Sequence, residues 1–170
     1  MRLPAKLTLA TLAGALLCAG QPALAQDGAV DAPADPRAQD PVWHSQQQIH
    51  LLGLTREDGW HFIDGGVRWR WLRYYASDRK PTVDDRITVH YEGRLLDGTV
   101  FDSSYARGEP ATFPLGRLVK GWQLAIPQMG VGETIEIAIP ADLAYGPVGR
   151  GPIPANATLV FKVELIAIAD

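Results

Sequence analysis

The side chains in this sequence that bear on chemistry are mostly aromatic. Tyr91, Phe101, Phe113, Trp122, Tyr145 and Phe161 fall at strand ends and around one helical stretch, and the carboxylate of Asp102 follows Phe101 directly. A largely apolar concavity with a few polar groups is the usual form of a small-ligand pocket. The same rings would also serve as plain core. Phe113 fits that role in part, whereas Trp122 at the first turn of the helix and Tyr145 in the loop Leu143–Pro147 fit a pocket equally well. The devices of covalent and metal catalysis are missing: there is no Gly-x-Ser-x-Gly elbow, no phosphate loop and no His-Glu-x-x-His. His44, His50 and His61 lie in the poorly patterned front of the chain and His90 alternates onto a solvent face, so no metal site is expected. The paired carboxylates Asp84 and Asp85 sit at a loop edge, where solvation or capping is their natural role. The pattern supports neither a hydrolase nor a cofactor.

These residues must be positioned by a small set of elements. In the stretch Leu118–Met129, Trp122, Ala125, Ile126 and Met129 recur at three- and four-residue steps and share one helical face. Pro127 lacks an N–H and crowds the preceding turn, which predicts a helix of two to three turns, kinked or frayed near its end. Gly130 reads as a left-handed stop. Three later stretches alternate with period two and should each bury one face: Ile87, Val89 and Tyr91; Ile135, Ile137 and Ile139; and Leu159, Phe161, Val163 and Leu165. Asp97-Gly98 predicts a hairpin, and Asp64-Gly65-Gly66 another between Trp60–Ile63 and Val67–Trp71. Arg68 and Arg70 interleave with Trp69 and Trp71 on a half-buried strand, a better account than RNA stacking. Residues 74–85 read as a loop. A lone helix with an apolar face needs a cover, and strands are the only cover available. The fold class is α+β, a curved antiparallel sheet of five to six strands wrapped around one short helix.

The chain starts with Arg2 and Lys6, an apolar run from Leu7 to Gly20, and Ala23-Leu24-Ala25, the pattern of a cleaved secretory signal over residues 1–25. The run is shorter than the roughly 18 apolar residues of a membrane span. Lipoprotein processing at Cys18 is the second reading, disfavoured by Leu17 before it. Cys18 is the single cysteine, so the mature chain carries no thiol and no disulfide. After cleavage 14 basic residues face 19 acidic ones, a balance of −5 that argues against nucleic acid as a general partner. Residues 26–41 are Ala, Asp, Pro and Gln-rich and read as a flexible linker. Residues 42–65 form an extension of unassigned role, in which 42–54 suits a short helix. The periplasm is the expected location, with surface association or release as alternatives.

The motifs Val89-His90-Tyr91-Glu92-Gly93, Gly98-Thr99-Val100-Phe101-Asp102-Ser103-Ser104, Leu115-Gly116, Gly121-Trp122, Gln128-Met129, Ala144-Tyr145-Gly146 and Ala157–Leu165 resemble those of the FKBP-type peptidyl-prolyl cis-trans isomerases. They stand in the family's order and at near-family spacing, from about Gly66 to Ala169. The signal and the Val83–Gly93 region lean towards exported bacterial members of the macrophage infectivity potentiator type.

This resemblance implies an isomerase domain over residues 66–170, with Trp122 as the floor of a proline pocket and Tyr91, Phe101, Phe113, Tyr145 and Phe161 as walls. It implies that Leu118 and Val119 touch the ligand, the latter through its backbone N–H, and that Asp102, Tyr145 and Ile153 line the peptide's path. Arg107 matches a basic residue that pairs with the aspartate. Asp102, Tyr145 and Trp122 are the implied catalytic residues. Implied partners are proline-containing polypeptides, with macrolides such as tacrolimus and rapamycin as inhibitors, and no cofactor. Ala111 stands where well-known eukaryotic members carry Phe, and the loops Leu115–Trp122 and Gly146–Ile153 are shorter than theirs. Substrate preference and inhibitor affinity are therefore expected to differ. The alternative is a proline-binding holdase that uses the extension and catalyses little; a role as a host-directed virulence factor is a weaker third, by family analogy alone.

Overall fold

The computed structural model describes residues 36–169. The expected signal peptide, Cys18 and most of the expected linker lie outside these residues. The strands are β1 (His61–Phe62), β2 (Arg68–Arg73), β3 (Arg86–Arg94), β4 (Val100–Ser103), β5 (Ala111–Pro114), β6 (Thr134–Ile139) and β7 (Leu159–Ala169). The helices are α1 (Pro41–Leu52), α2 (Ser104–Arg107) and α3 (Lys120–Ala125). The seven strands make one antiparallel sheet in the order β1-β2-β6-β7-β3-β4, with β5 sharing the outer edge of β3. The α+β class is as expected. The sheet has one strand more than the expected five to six, because β5 is only four residues long and follows a single helical turn, too short for alternation to announce it.

Alternation builds the core. In β3 Ile87, Val89 and Tyr91 are buried while Thr88, His90 and Glu92 are partly exposed. β7 buries Leu159, Phe161, Val163 and Leu165 on the same side, and Val160 is buried as well, on the opposite face. These faces meet Leu118, Trp122, Ala125, Ile126 and Met129 in one cluster, so the sheet curves around α3. Helix α3 runs into a 3-10 turn, Ile126–Gln128, which carries Pro127. That is the short, irregularly ending helix the proline demands. Gly121 allows the contact with the sheet, because a Cβ there would lie 2.4 Å from Ile139.

Two expectations are corrected. Gly130 is not a left-handed stop: Met129 leaves the helix in extended conformation, and the left-handed residue is Gly132, at φ 89°. Gly130 is needed for closeness, since a Cβ would come 2.5 Å from Ser77. β6 does not bury one face only; all six residues are buried. Its second face is covered by Trp60 and Val160 over Ala138, and by Arg70 and Arg94, which both pair with Glu136.

The front of the chain is also structured. Asp40 caps α1 by accepting from the N–H groups of Val42 at 2.8 Å and Trp43 at 3.3 Å, and Pro41 follows at the first turn. His44 and His50 thus lie on a helix, and His61 lies on β1. A 3-10 turn, Pro36–Gln39, falls inside the expected linker. β1 pairs with β2 across the turn Asp64–Gly66, where Gly65 and Gly66 take φ of 78° and 91°.

Candidate active site

Five elements each contribute one ring to a continuous aromatic chain. Phe113 on β5 meets Tyr91 on β3 at 6.0 Å between centroids, and Tyr91 meets Trp122 on α3 at 5.6 Å. Trp122 meets Phe161 on β7 at 5.3 Å, and Phe161 meets Phe101 on β4 at 5.6 Å. All four contacts are edge to face, the arrangement that the ring quadrupole favours. Trp122, Tyr91 and Phe161 are fully buried, whereas Phe101 is half-buried. Gly93 lies between the last two rings. A Cβ on it would be 2.5 Å from Phe101 and 2.7 Å from Phe161.

The polar groups are held as tightly. Helix α2 is a single turn whose cap, Ser103, accepts from the Ala106 N–H at 3.2 Å and whose end is the left-handed Gly108. This turn brings Arg107 back onto Asp102, the residue before the cap. Arg107 Nη1 donates to Asp102 Oδ1, Arg107 Nη2 donates to the Tyr91 hydroxyl at 2.8 Å, and that hydroxyl donates to Asp102 Oδ2 at 2.5 Å. Burial first, and then donation to Asp102, raises the Tyr91 phenol well above the ordinary tyrosine range. Sequence reasoning missed Ser104, whose buried hydroxyl accepts from the Tyr91 N–H at 2.7 Å and donates to the Tyr91 carbonyl at 3.2 Å. Nothing in a serine following a strand signals that role.

Among the described residues three buried donors have no partner, and two of them, the Tyr145 hydroxyl and Trp122 Nε1, belong to this cluster, the third being Arg68 Nε. Burial pushes the Tyr145 phenol up to about 12, so it stays protonated, a neutral hydrogen-bond donor, over the physiological range. Leu118 and Val119, both buried, precede α3, and Val119 is its N-cap, at φ −54° and ψ 146° and with no side-chain capping bond. Gln123 Nε2 donates to the Leu118 carbonyl at 2.7 Å and to that of Gly116 at 3.1 Å, which fixes the approach to the helix. Ile153 is buried in the same cluster, held by reciprocal 2.9 Å bonds with Arg150. Ala111 and Tyr145 pack on the cluster's margin. The structure therefore brings all ten expected site residues around one apolar cluster. A separate cleft of about 450 Å³ lies on the other face of the sheet, lined by Trp60, Arg70, Arg94 and Glu136, and both arginines are engaged by Glu136.

Residues 77–166 match the family model described as FKBP-type peptidyl-prolyl cis-trans isomerase. The chain belongs to this family. It is 55% identical over 124 residues to the peptidyl-prolyl cis-trans isomerase Mip of Coxiella burnetii, covering 72% of this chain and 54% of that protein. Its fold is similar to the crystal structure of a peptidyl-prolyl cis-trans isomerase from Pseudomonas syringae, with TM-score 0.69, 31% identity, and cover of 84% of this chain and 100% of that one. It is also similar to FkpA from Escherichia coli, with TM-score 0.69, 34% identity, and cover of 73% and 58%. The chain spans about half the length of the curated relatives it matches. In this FKBP-type chain no helix among the described residues is long and apolar enough to cross a membrane.

Proposed function

We propose that this chain is a peptidyl-prolyl cis-trans isomerase that accelerates rotation about Xaa-Pro bonds in exported polypeptides. The observation that carries the proposal is the pairing of a dry aromatic floor with a buried, unpartnered hydroxyl at Tyr145. A partnerless buried donor is costly to the free protein and is repaid when a ligand accepts from it.

An Xaa-Pro amide resists rotation by about 18–20 kcal/mol because its C–N bond has partial double-bond character. Its cis and trans ends differ by only about 0.5–1 kcal/mol. Catalysis must therefore bind the twisted amide better than either planar one. Twisting makes the nitrogen pyramidal and the group less polar, so an apolar enclosure favours the twisted form. Trp122, Tyr91, Phe101 and Phe161 hold the prolyl ring, with Phe113 behind Tyr91. Tyr145 donates to a substrate carbonyl. Asp102 and Arg107 orient Tyr91, and Leu118, Val119 and Ile153 guide the peptide past the ring. Proton transfer has no part in this scheme, and no cofactor is required.

Residues 66–170 are proposed as the isomerase domain, 42–65 as its extension, 26–41 as a linker and 1–25 as a signal directing export to the periplasm. Macrolides such as tacrolimus and rapamycin are proposed as competing ligands of the same pocket. The test is cis-to-trans isomerisation of Xaa-Pro tetrapeptides by the mature chain, beside Trp122→Leu and Tyr145→Phe, with and without rapamycin. Rapamycin-sensitive catalysis that falls in both folded variants is expected. A folded wild-type chain that leaves the uncatalysed rate unchanged overturns the proposal.

A further inference from the structure

The extension grips the loop that carries one wall of the pocket. Trp43 Nε1 donates to the Ala155 carbonyl at 2.8 Å. Asn156 Nδ2 lies 2.8 Å from His44 Nε2 and donates to the Ala38 carbonyl at 3.3 Å. Gln47, itself only 5% exposed, accepts from the Thr158 N–H at 2.9 Å. Three successive inward residues of α1, at spacings of one and three, thus hold residues 155, 156 and 158.

The gripped segment is joined to the site at both ends. Two residues before Ala155 stands Ile153, the buried wall residue. The Asn156 N–H donates to the Gly146 carbonyl at 2.9 Å, and Gly146 follows Tyr145 directly. Asn156 takes a left-handed φ of 55°, a conformation that persists in a residue with a side chain only where surroundings over-determine it. The loop is closely folded on itself as well: a Cβ on Gly149 would meet the Ile153 carbonyl at 2.3 Å. A substrate loop with few regular hydrogen bonds loses binding strength when it must be ordered on contact, and an external brace removes that cost.

We propose that α1 is a positioning clamp for the pocket, in which Trp43 and Gln47 fix the 153–158 loop and, through Asn156 and Gly146, the Tyr145 hydroxyl. The clamp sets peptide affinity and not the chemical step. This rests on the isomerase reading above for its effect on turnover, but the clamp itself has an independent readout.

The experiment uses the whole mature chain with Trp43→Phe, which keeps a ring and removes the indole N–H, and Gln47→Ala, alone and combined. Gln47→Glu retains an acceptor for Thr158 and is the rescue, and Ile49→Ala on the exposed face of α1 is the control. Backbone hydrogen exchange is followed at Ile153, Asn156 and Thr158 and, for comparison, at Tyr91 and Val163. In the double variant, exchange at the loop amides should quicken about tenfold while the sheet amides hold their rates. KM for tetrapeptides should rise about fivefold with kcat within about twofold, and Gln47→Glu should recover most of the single-variant loss. Ile49→Ala should behave as wild type. Unchanged loop exchange, equal quickening of loop and sheet, or quickened loop exchange with unchanged KM each overturns the clamp. A wild-type chain without isomerase activity counts against the isomerase reading alone, and the exchange contrast then decides the clamp.

Discussion

The Tyr91 hydroxyl donates to Asp102 Oδ2 at 2.5 Å while accepting from Arg107, whose other terminal nitrogen binds Asp102 Oδ1. Both carboxylate oxygens are thus engaged within the chain itself, and the Asp102 side chain is only 8% exposed. The charge of Asp102 is balanced within the wall by Arg107, so the aromatic cluster beside it keeps an apolar surface.

This ring of contacts predicts unequal losses. Asp102→Ala strips Tyr91 and Arg107 of their shared acceptor and should cost about 1–3 kcal/mol of stability. It should lower kcat/KM about tenfold as the Tyr91 ring loosens. Tyr91→Phe keeps the ring and the Asp102–Arg107 pair, so its loss of kcat/KM should be smaller than that of Asp102→Ala. Urea denaturation and the tetrapeptide assay, run on both variants, read the two effects separately.

Tyr145 predicts opposite signs for stability and activity. Its hydroxyl is buried without a partner, so Tyr145→Phe removes an unpaid desolvation and should leave the free protein as stable or up to about 1 kcal/mol more stable. The same change should lower kcat/KM for tetrapeptides about fivefold, chiefly through KM, by removing the proposed donor to the carbonyl. The pH dependence follows from burial raising the phenol from 10.0 to about 12. A folded-state value raised above the unfolded one means that this group's contribution to stability is fully present below the unfolded value of 10.0 and lost as pH rises towards about 12. The gap in unfolding free energy between wild type and Tyr145→Phe should therefore stay constant below 10.0 and change only across that alkaline window, with the wild type losing more.

Much of this fold was legible because strict alternation leaves one face to bury. Ile87, Val89 and Tyr91, and then Leu159 to Leu165, announced the two central strands, and Pro127 announced where α3 must loosen. The pocket rings were legible as residue types, but their assembly around Trp122 came from resemblance to a family, since spacing alone does not bring five strands and helices to one point. The second face of β6 was hidden. Glu136 reads as a solvated position until Arg70 and Arg94 are seen to reach it from other strands. Gly130 was misread because a glycine chosen for close approach looks the same as one chosen for φ. The grip of α1 was invisible for a plainer reason: Trp43 and Gln47 act on residues more than a hundred positions away.

Gly93 supplies a packing test. Its absent Cβ leaves the space that the Phe101 and Phe161 rings occupy, at 2.5 Å and 2.7 Å from where it would stand. Gly93→Ala should cost about 1–3 kcal/mol as overpacking and should displace both rings. Isomerisation should then fall beyond what the loss of folded protein explains, and the aromatic near-ultraviolet dichroism should change. A variant whose turnover per folded molecule matches wild type would detach these two rings from the site.

The last prediction concerns acid. Glu133 is 1% exposed and gathers four donors: the backbone N–H groups of Gly130 at 2.9 Å, Tyr75 at 3.2 Å and Ser77 at 3.4 Å, and the Trp71 indole at 3.2 Å. Burial alone would raise its carboxyl, but the donors outweigh burial and hold it below the ordinary value of 4.5. A carboxyl lowered in the folded state contributes stability above 4.5, and that contribution is lost as pH falls through the lower folded value. Glu133→Gln retains one acceptor oxygen but turns an amide donor towards N–H groups, and should cost about 2–3 kcal/mol at neutral pH. Because protonation does to the wild type much of what the substitution does to the variant, the gap between them in urea denaturation should narrow as pH is lowered below 4.5. The junction it holds runs from β2 through the 74–85 loop to the end of α3, so hydrogen exchange at Ser77 and Gly130 should lead global unfolding on acidification. A gap that stays constant across the acid range would show that Glu133 keeps its proton balance on folding, and that packing alone holds the junction.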